Sequence, residues 1–368
     1  MERKDLKKLK RIVIKIGTSA LVSKGLELDR SRIKGLTEEI AGFIKKGYEV
    51  IVVSSGAIAV GMYLLKMDKR PNNLPEQQAC AAIGQHHLIN IYDSLFKKKG
   101  LLVAQVLLTW EDIRDRRRYL NAENTMHTLL SKKTVPIINE NDTVSVDEIK
   151  FGDNDMLSAL VANLVSADLL IMLTDVDGLY SEGMKDCIDV VKDIDQRLEK
   201  SACGTNKECS LGGMKTKLEA CKIAMSSGIY CVIANGHKKD VLSKVLDGEK
   251  IGTFFIPKGT KMQARKRWIA YNAKSQGKIF VDEGAENALT KKNGSLLACG
   301  VKKIEGRFLY GDIVSVLRMD GTEFAKGLSN YGSEDLDRIK GMTTKDIEKA
   351  IDKNFYQEII HRDNLVIL

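Results

Sequence analysis

The sequence predicts an α/β chain in which a mostly parallel sheet, covered by helices on both faces, is followed by a small, separate β-rich domain. Up to about residue 257, apolar runs of strand length alternate with longer helical patterns, as expected of strands joined by crossover helices. The run Leu169 to Leu173 is apolar at every position, which fits a strand buried on both faces. After Phe255 the texture changes to short strand candidates punctuated by glycine, the pattern of a small β domain.

In chain order, Val13 to Ile16 opens the series, and a helical stretch near Ser31 to Lys46 leads to a second strand at Val50 to Val53. Ser54-Ser55-Gly56-Ala57 then opens into a helical pattern, and a longer helix is expected near Glu76 to Lys98. Strands at Leu102 to Leu107 and Val135 to Ile138 bracket a helix near Leu120 to Lys133. Asp155 to Val165 has Leu157, Leu160, Val161 and Leu164 at helical spacing, preceded by short polar residues able to cap it. After Leu169 to Leu173 come a helix near Met214 to Ser227, a strand at Tyr230 to Ala234 and a helix near Lys239 to Leu246. Beyond Pro257-Lys258-Gly259 and a basic, helical-looking stretch, Gln263 to Trp268, the strand candidates are Ile279 to Asp282, Gly300 to Ile304, Ile313 to Arg318 and Glu323 to Gly327. Turns are expected at Glu305-Gly306 and Asp320-Gly321.

Composition bounds the function. With 368 residues, 43% hydrophobic and 29% charged, the chain has material for two globular domains. The seven cysteines are irregularly spaced with no C-x-x-C pair, so neither a disulfide framework nor a zinc site is expected. The charged start MERKDLKKLK has no apolar run of signal-peptide length after it, so a cytoplasmic protein is expected. The net charge is +9, yet from Lys261 onward 19 Lys and Arg stand against 15 Asp and Glu. No strongly basic arm marks a nucleic-acid protein. Arg114 to Arg118 reads as a solvated face with internal ion pairs.

The segment Asn139 to Tyr180 carries most of the chemistry. Asn139-Glu140-Asn141-Asp142 follows a buried strand, and Asp153-Asn154-Asp155 stands at a helix start. Capping explains one such side chain, not two aspartates around an asparagine. The buried run then ends in Thr174-Asp175, where a doubly wound sheet places its ligand groups. Three further loops suit phosphate handling. Lys15 stands near the end of the first strand, followed by Gly17, Thr18 and Ser19. Ser54-Ser55-Gly56-Ala57 offers free backbone N–H groups at a helix start. Leu211-Gly212-Gly213-Met214-Lys215-Thr216-Lys217 puts two glycines before a helix and a lysine four residues after the second. That spacing is not a Walker A loop. Together the loops predict a phosphoryl-transfer site at the strand ends.

The chain resembles the glutamate 5-kinases, amino acid kinases that phosphorylate the side-chain carboxylate of L-glutamate in proline biosynthesis. The resemblance runs almost end to end. It rests on Lys15-Ile16-Gly17-Thr18-Ser19, Ser54 to Ala59, Ala81-Ala82-Ile83-Gly84-Gln85, Asn139 to Asp142, Phe151 to Asp155, and Leu173-Thr174-Asp175 with Gly178-Leu179-Tyr180. The last third resembles the PUA domain. A three-layer α/β/α sandwich over 1–257, a linker over 258–276 and a small β-barrel-like PUA domain over 277–368 are what this resemblance implies.

It further implies glutamate against Ser55, Asp142 and Asn154, with Asp153 close by, and nucleotide against Thr174, Asp175 and the loop Leu211, Gly212, Gly213, Met214, Lys215, Thr216 and Lys217. Lys15 and Lys217 would meet the phosphoryl group from two sides, with Asp155 holding both. ATP and Mg²⁺ follow as reactants, with no protein metal ligand named. A homo-oligomer, a dimer or tetramer, is implied, as is proline as a feedback inhibitor, and the PUA-like end admits RNA as a partner. One departure stands out: the family shows Gly-Thr-Gly-Gly-Met where this chain has Ser210-Leu211-Gly212-Gly213-Met214. Two other readings share these residues. A sister kinase for aspartate, N-acetylglutamate, carbamate or a nucleoside monophosphate would keep the lysines without the paired acidic turns. An RNA-binding or regulatory protein with a vestigial kinase domain would have no need of Lys15, Lys217, Asp153 and Asp155, all of which are present.

Overall fold

The computed structural model describes residues 2–23, 26–145, 154–180, 187–195, 198, 213–257, 266, 269–270, 274–343, 346–347 and 357–368, with Arg116 described by its backbone alone. The chain divides into two units, the larger built on residues 1–113 and 117–261, the smaller on 114–116 and 262–368.

The larger unit is organised by an eight-stranded sheet: β1 (Arg11–Ile16), β2 (Glu49–Ser54), β3 (Val103–Leu108), β4 (Val135–Glu140), β5 (Leu169–Thr174), β6 (Val190–Val191), β7 (Tyr230–Asn235) and β8 (Thr253–Phe255), in the order β3-β4-β2-β1-β5-β7-β8-β6. Every neighbouring pair is parallel except β7 with β8. β4 and β5 are buried at every residue, which explains their unbroken apolar sequence. The strand order grows from β1 first toward β2, β4 and β3 and then, through β5, to the opposite side. That reversal opens a crevice at the carboxyl end of β1.

The helices are α1 (Arg30–Lys45), α2 (Ala57–Leu64), α3 (Leu74–Lys97), α4 (Trp110–Arg114), α5 (Arg116–Ser131), α6 (Asn154–Leu164), α7 (Met214–Ser226) and α8 (Val241–Leu246). α1 buries Ile33, Leu36, Ile40 and Phe43, a stripe of helical period, and Asp29 caps it by accepting from the Arg32 N–H at 2.9 Å. Asn73 caps α3 in the same way, accepting from the Glu76 N–H at 2.9 Å. α2 and α3 meet backbone to backbone, because Gly61 and Gly84 have no side chain between them. A Cβ on Gly84 would lie 1.8 Å from the Ala57 carbonyl oxygen.

The start of the chain is fastened to the far edge of the sheet. Arg3 is buried, and its guanidinium donates to the carbonyls of Ile251 and Gly252 at 2.9 and 2.7 Å and to the Asp189 carboxylate at 2.9 Å.

The smaller unit has a five-stranded sheet of β9 (Gly277–Val281), β10 (Val301–Glu305), β11 (Ile313–Leu317), β12 (Glu323–Leu328) and β13 (Leu365–Ile367), ordered β10-β9-β11-β12-β13, with β9 and β11 parallel and the other pairs antiparallel. It closes over Ile279, Val281, Val314, Val316 and Phe324 with helices α9 (Glu283–Lys291) and α10 (Ser333–Ile339). The expected turn glycines, Gly306 and Gly321, both have positive φ. Asp282, expected as the end of a strand, caps α9 instead, accepting from the Ala285 N–H at 2.8 Å. α4, α9, α10, β6, β8 and β13 are absent from the sequence expectation. They are short, and α9 buries only Leu289, so no apolar period announces it. Apart from Lys266, the helical-looking stretch Gln263 to Trp268 lies outside the described residues.

Gly84→Ala is expected to force α2 from α3 and cost about 1–3 kcal/mol, the usual range for overpacking. A lowered first thermal transition checks this; an unchanged one would mean that the helices separate freely.

Candidate active site

The carboxyl ends of β1, β2, β4 and β5 converge on one place, and each brings a residue type that the sequence marks. Lys15 lies on β1 with its neighbours Ile14 and Ile16 in the core, and it is only 6% exposed. A buried ammonium needs a counter-charge. Asp155, 1% exposed in the first turn of α6, supplies it: the Lys15 Nζ lies 2.5 Å from one carboxylate oxygen, and the Lys217 Nζ lies 2.9 Å from the other. The Thr216 hydroxyl lies 2.9 Å from the Gly213 carbonyl and 3.3 Å from Asp155. Burial would raise the Asp155 carboxyl, but the ammonium groups of Lys15 and Lys217 outweigh it and hold the group below the ordinary carboxylate range. A helix N-terminus also favours negative charge there.

Beside this cluster a chain of amides forms a wall. Asn139, at the end of β4, donates to Gln85 of α3 at 2.8 Å. The Asn139 side-chain oxygen accepts from the Glu140 N–H at 2.9 Å and from Asn154 at 2.9 Å. Asn154 also donates to the Ser55 hydroxyl at 2.9 Å. Gly56, at φ 101°, turns the chain from β2 into α2 in a conformation that favours glycine. Ser55, Gly56, Asn139 and Asn154 line a cavity of about 300 Å³, together with Thr18, Met62, Arg70, Glu140 and Asp142. Its wall therefore holds hydroxyls, amides, two carboxylates and a guanidinium around an apolar floor.

The structure thus brings together Lys15, Asp155, Thr216 and Lys217 as one cluster, and Ser55, Asp142 and Asn154 around the adjoining cavity. Thr174 and Asp175 stand at the end of β5, where their side chains interact at 3.0 Å. Gly213 and Met214 open α7, and Lys215 is exposed. Asp153, Leu211 and Gly212 lie outside the described residues. Gln85, Glu140 and Arg70 join the site without having been assigned a site role from sequence, though Gln85 belongs to the Ala81 to Gln85 motif and Glu140 to the Asn139 to Asp142 motif. Among the described residues no group of three or more His, Cys, Asp or Glu could hold a metal ion, and no helix is long and apolar enough to cross a membrane.

Comparison with known proteins gives the same two-part division. The amino acid kinase family matches residues 10–235, and the PUA domain matches residues 277–351. A glutamate 5-kinase of Caldanaerobacter subterraneus subsp. tengcongensis is 50% identical over 97% of this chain and 98% of its own. One from Geobacter sp. strain M21 is 44% identical over the full length of both. Among solved structures, a carbamate kinase from Giardia lamblia bound to AMP-PNP is 19% identical, with a TM-score of 0.49 over 68% of this chain and 99% of that one.

Asp155→Asn leaves two buried ammonium groups without their counter-charge and is expected to cost about 3–5 kcal/mol at pH 7. Because the folded carboxyl titrates below its unfolded value of about 3.9, the benefit of Asp155 is complete above that pH and is lost as pH falls through the depressed value. Denaturant unfolding of both proteins from pH 7 to pH 3 should show a constant gap that narrows only below about pH 4. A gap already closed at pH 6 would contradict the ion-pair account.

Proposed function

We propose that this chain, which belongs to the amino acid kinase family, transfers the γ-phosphoryl group of ATP to the γ-carboxylate of L-glutamate, giving L-glutamyl 5-phosphate and ADP at the entry to proline biosynthesis. The observation that carries this reading is the Lys15–Asp155–Lys217 cluster opening beside a cavity of mixed charge. Relatives named glutamate 5-kinase, similar over nearly their whole length, support the choice of acceptor.

In this reading glutamate lies in the cavity against Ser55, Asp142 and Asn154, with Asp153 close by. The nucleotide lies along Thr174, Asp175 and the loop Leu211 to Lys217. A glutamate side chain, with a reference pKa of about 4.3, is ionised at neutral pH. It needs no general base, and none is assigned. A carboxylate oxygen attacks the γ-phosphorus, the new O–P bond forms, and the bond to the β,γ-bridging oxygen breaks with its electron pair leaving on ADP. Repulsion between the two anions opposes the step. Lys15 and Lys217, fixed by Asp155, offset it: a charge pair at 4 Å is worth about 4 kcal/mol at an effective dielectric near 20. Both oxygens of Asp155 are engaged by lysines, so no protein ligand is assigned to Mg²⁺, which would arrive with the phosphates of ATP. When bound, it adds positive charge to the phosphates.

A vestigial kinase has no use for three buried charges that are costly to desolvate, so the cluster argues for an active enzyme. The PUA match fits RNA binding by the second unit. From the family we also take self-association, inhibition by proline and a cytoplasmic setting.

The test is ADP release from Mg·ATP with L-glutamate, L-aspartate, N-acetyl-L-glutamate or no acceptor, with hydroxylamine trapping any acyl phosphate as a hydroxamate. Hydroxamate with glutamate alone is expected; silence with every acceptor would sink the reading. Lys15→Ala and Lys217→Ala should each lower kcat on the order of 100-fold, and near-normal turnover in either would remove that lysine from the chemistry.

A further inference from the structure

Arg70 carries the positive charge in a cavity wall that also contains the carboxylates of Glu140 and Asp142. It is exposed and makes no ion pair or hydrogen bond with any described residue. That is unusual for a guanidinium beside carboxylates, since its planar fork is well suited to pairing with them.

The Arg70 side chain is exposed, but the backbone beside it is anchored. Arg70 lies in the connection between α2 and α3, directly before Pro71, which is buried and whose carbonyl accepts from the Gln77 side-chain amide at 2.8 Å. A residue before proline is confined to extended backbone. The main chain therefore presents Arg70 at the cavity from an anchored position, while the guanidinium is left to a ligand.

The amino-acid acceptor has three charged groups to accommodate. Its γ-carboxylate must face Lys15 and Lys217. Its ammonium group is complementary to the carboxylates of Asp142 and Glu140. Its α-carboxylate then needs a cation, and in the described wall of the cavity that cation is Arg70. We propose that Arg70 anchors the α-carboxylate of the acceptor and so selects α-amino acids over acceptors that lack that group. This rests on the reading of the acceptor as L-glutamate.

The experiment compares L-glutamate with 4-aminobutyrate, which is glutamate without its α-carboxylate, in the full chain and in its R70M, R70Q and R70K variants. Hydroxamate formation gives kcat/KM for each acceptor. The wild-type preference for glutamate is expected to fall by about 10-fold or more in R70M and R70Q, through a higher KM for glutamate, with the KM for Mg·ATP unmoved and part of the preference kept in R70K. Two charge-free variants guard against a folding defect in one of them, and thermal midpoints identify it. An unchanged preference in R70M and R70Q would overturn the role of Arg70 while leaving glutamate phosphorylation intact. Wild-type protein that makes no hydroxamate with glutamate would instead overturn the functional reading, and the proposal with it.

Discussion

One buried carboxylate holds the site together. Asp155 ties β1 to α7 through Lys15 and Lys217, and its own position at the start of α6 ties both to the amide wall. Taking three charges out of water is expensive, and a buried ion pair rarely adds net stability over apolar packing. What the arrangement provides is a fixed surplus of one positive charge at a place where anions arrive. Without the carboxylate, the lysines would repel each other and swing to solvent. With it, they stay aimed at one point before any ligand binds, which is how preorganised electrostatics lowers a barrier.

The neighbouring amides serve the other half of the site by the same logic. Asn154 and Asp155 are consecutive, so one helix start aims an amide at the cavity and a carboxylate at the lysines. Asn139 links that start to Gln85, and Gln85 stands on the helix that Gly84 lets pack directly on α2. The end of β2, the start of α2, the end of β4 and the start of α6 are thus positioned by one another. In such a polar network each member's geometry is set by its neighbours, and the Gly84–Ala57 packing bears on the cavity wall, which Ala57 itself lines.

Much of this is legible in the sequence, and the exceptions have physical reasons. β5 declares itself because both its faces are buried, and α1 because Ile33, Leu36, Ile40 and Phe43 repeat at helical spacing. Ser55 and Thr174 stand out because polar groups at the ends of buried runs are costly unless used, Lys15 because it interrupts such a run, and Asn154 because it opens an apolar helix. β6 and β8, two and three residues long, are too short for any period to show. Gln85 lies mid-helix, and nothing local reveals that its partner is 54 residues away. Arg70 sits in an irregular connection, where side-chain spacing does not encode the path of the chain. Its meaning comes only from the cavity it faces.

The fastening of Arg3 has a consequence for how the protein is made. β1 precedes both of its partner strands in the chain and ends up inside the sheet, with one flank paired to β2 and the other to β5. Its second flank stays open until Leu169 to Thr174 has emerged, and Arg3 finds its carbonyl partners only when Ile251 and Gly252 appear. Translation adds about 5–20 residues per second, so the amino-terminal segment waits on the order of ten seconds or more with an apolar strand edge unpaired. The larger unit therefore cannot close before nearly all of it exists.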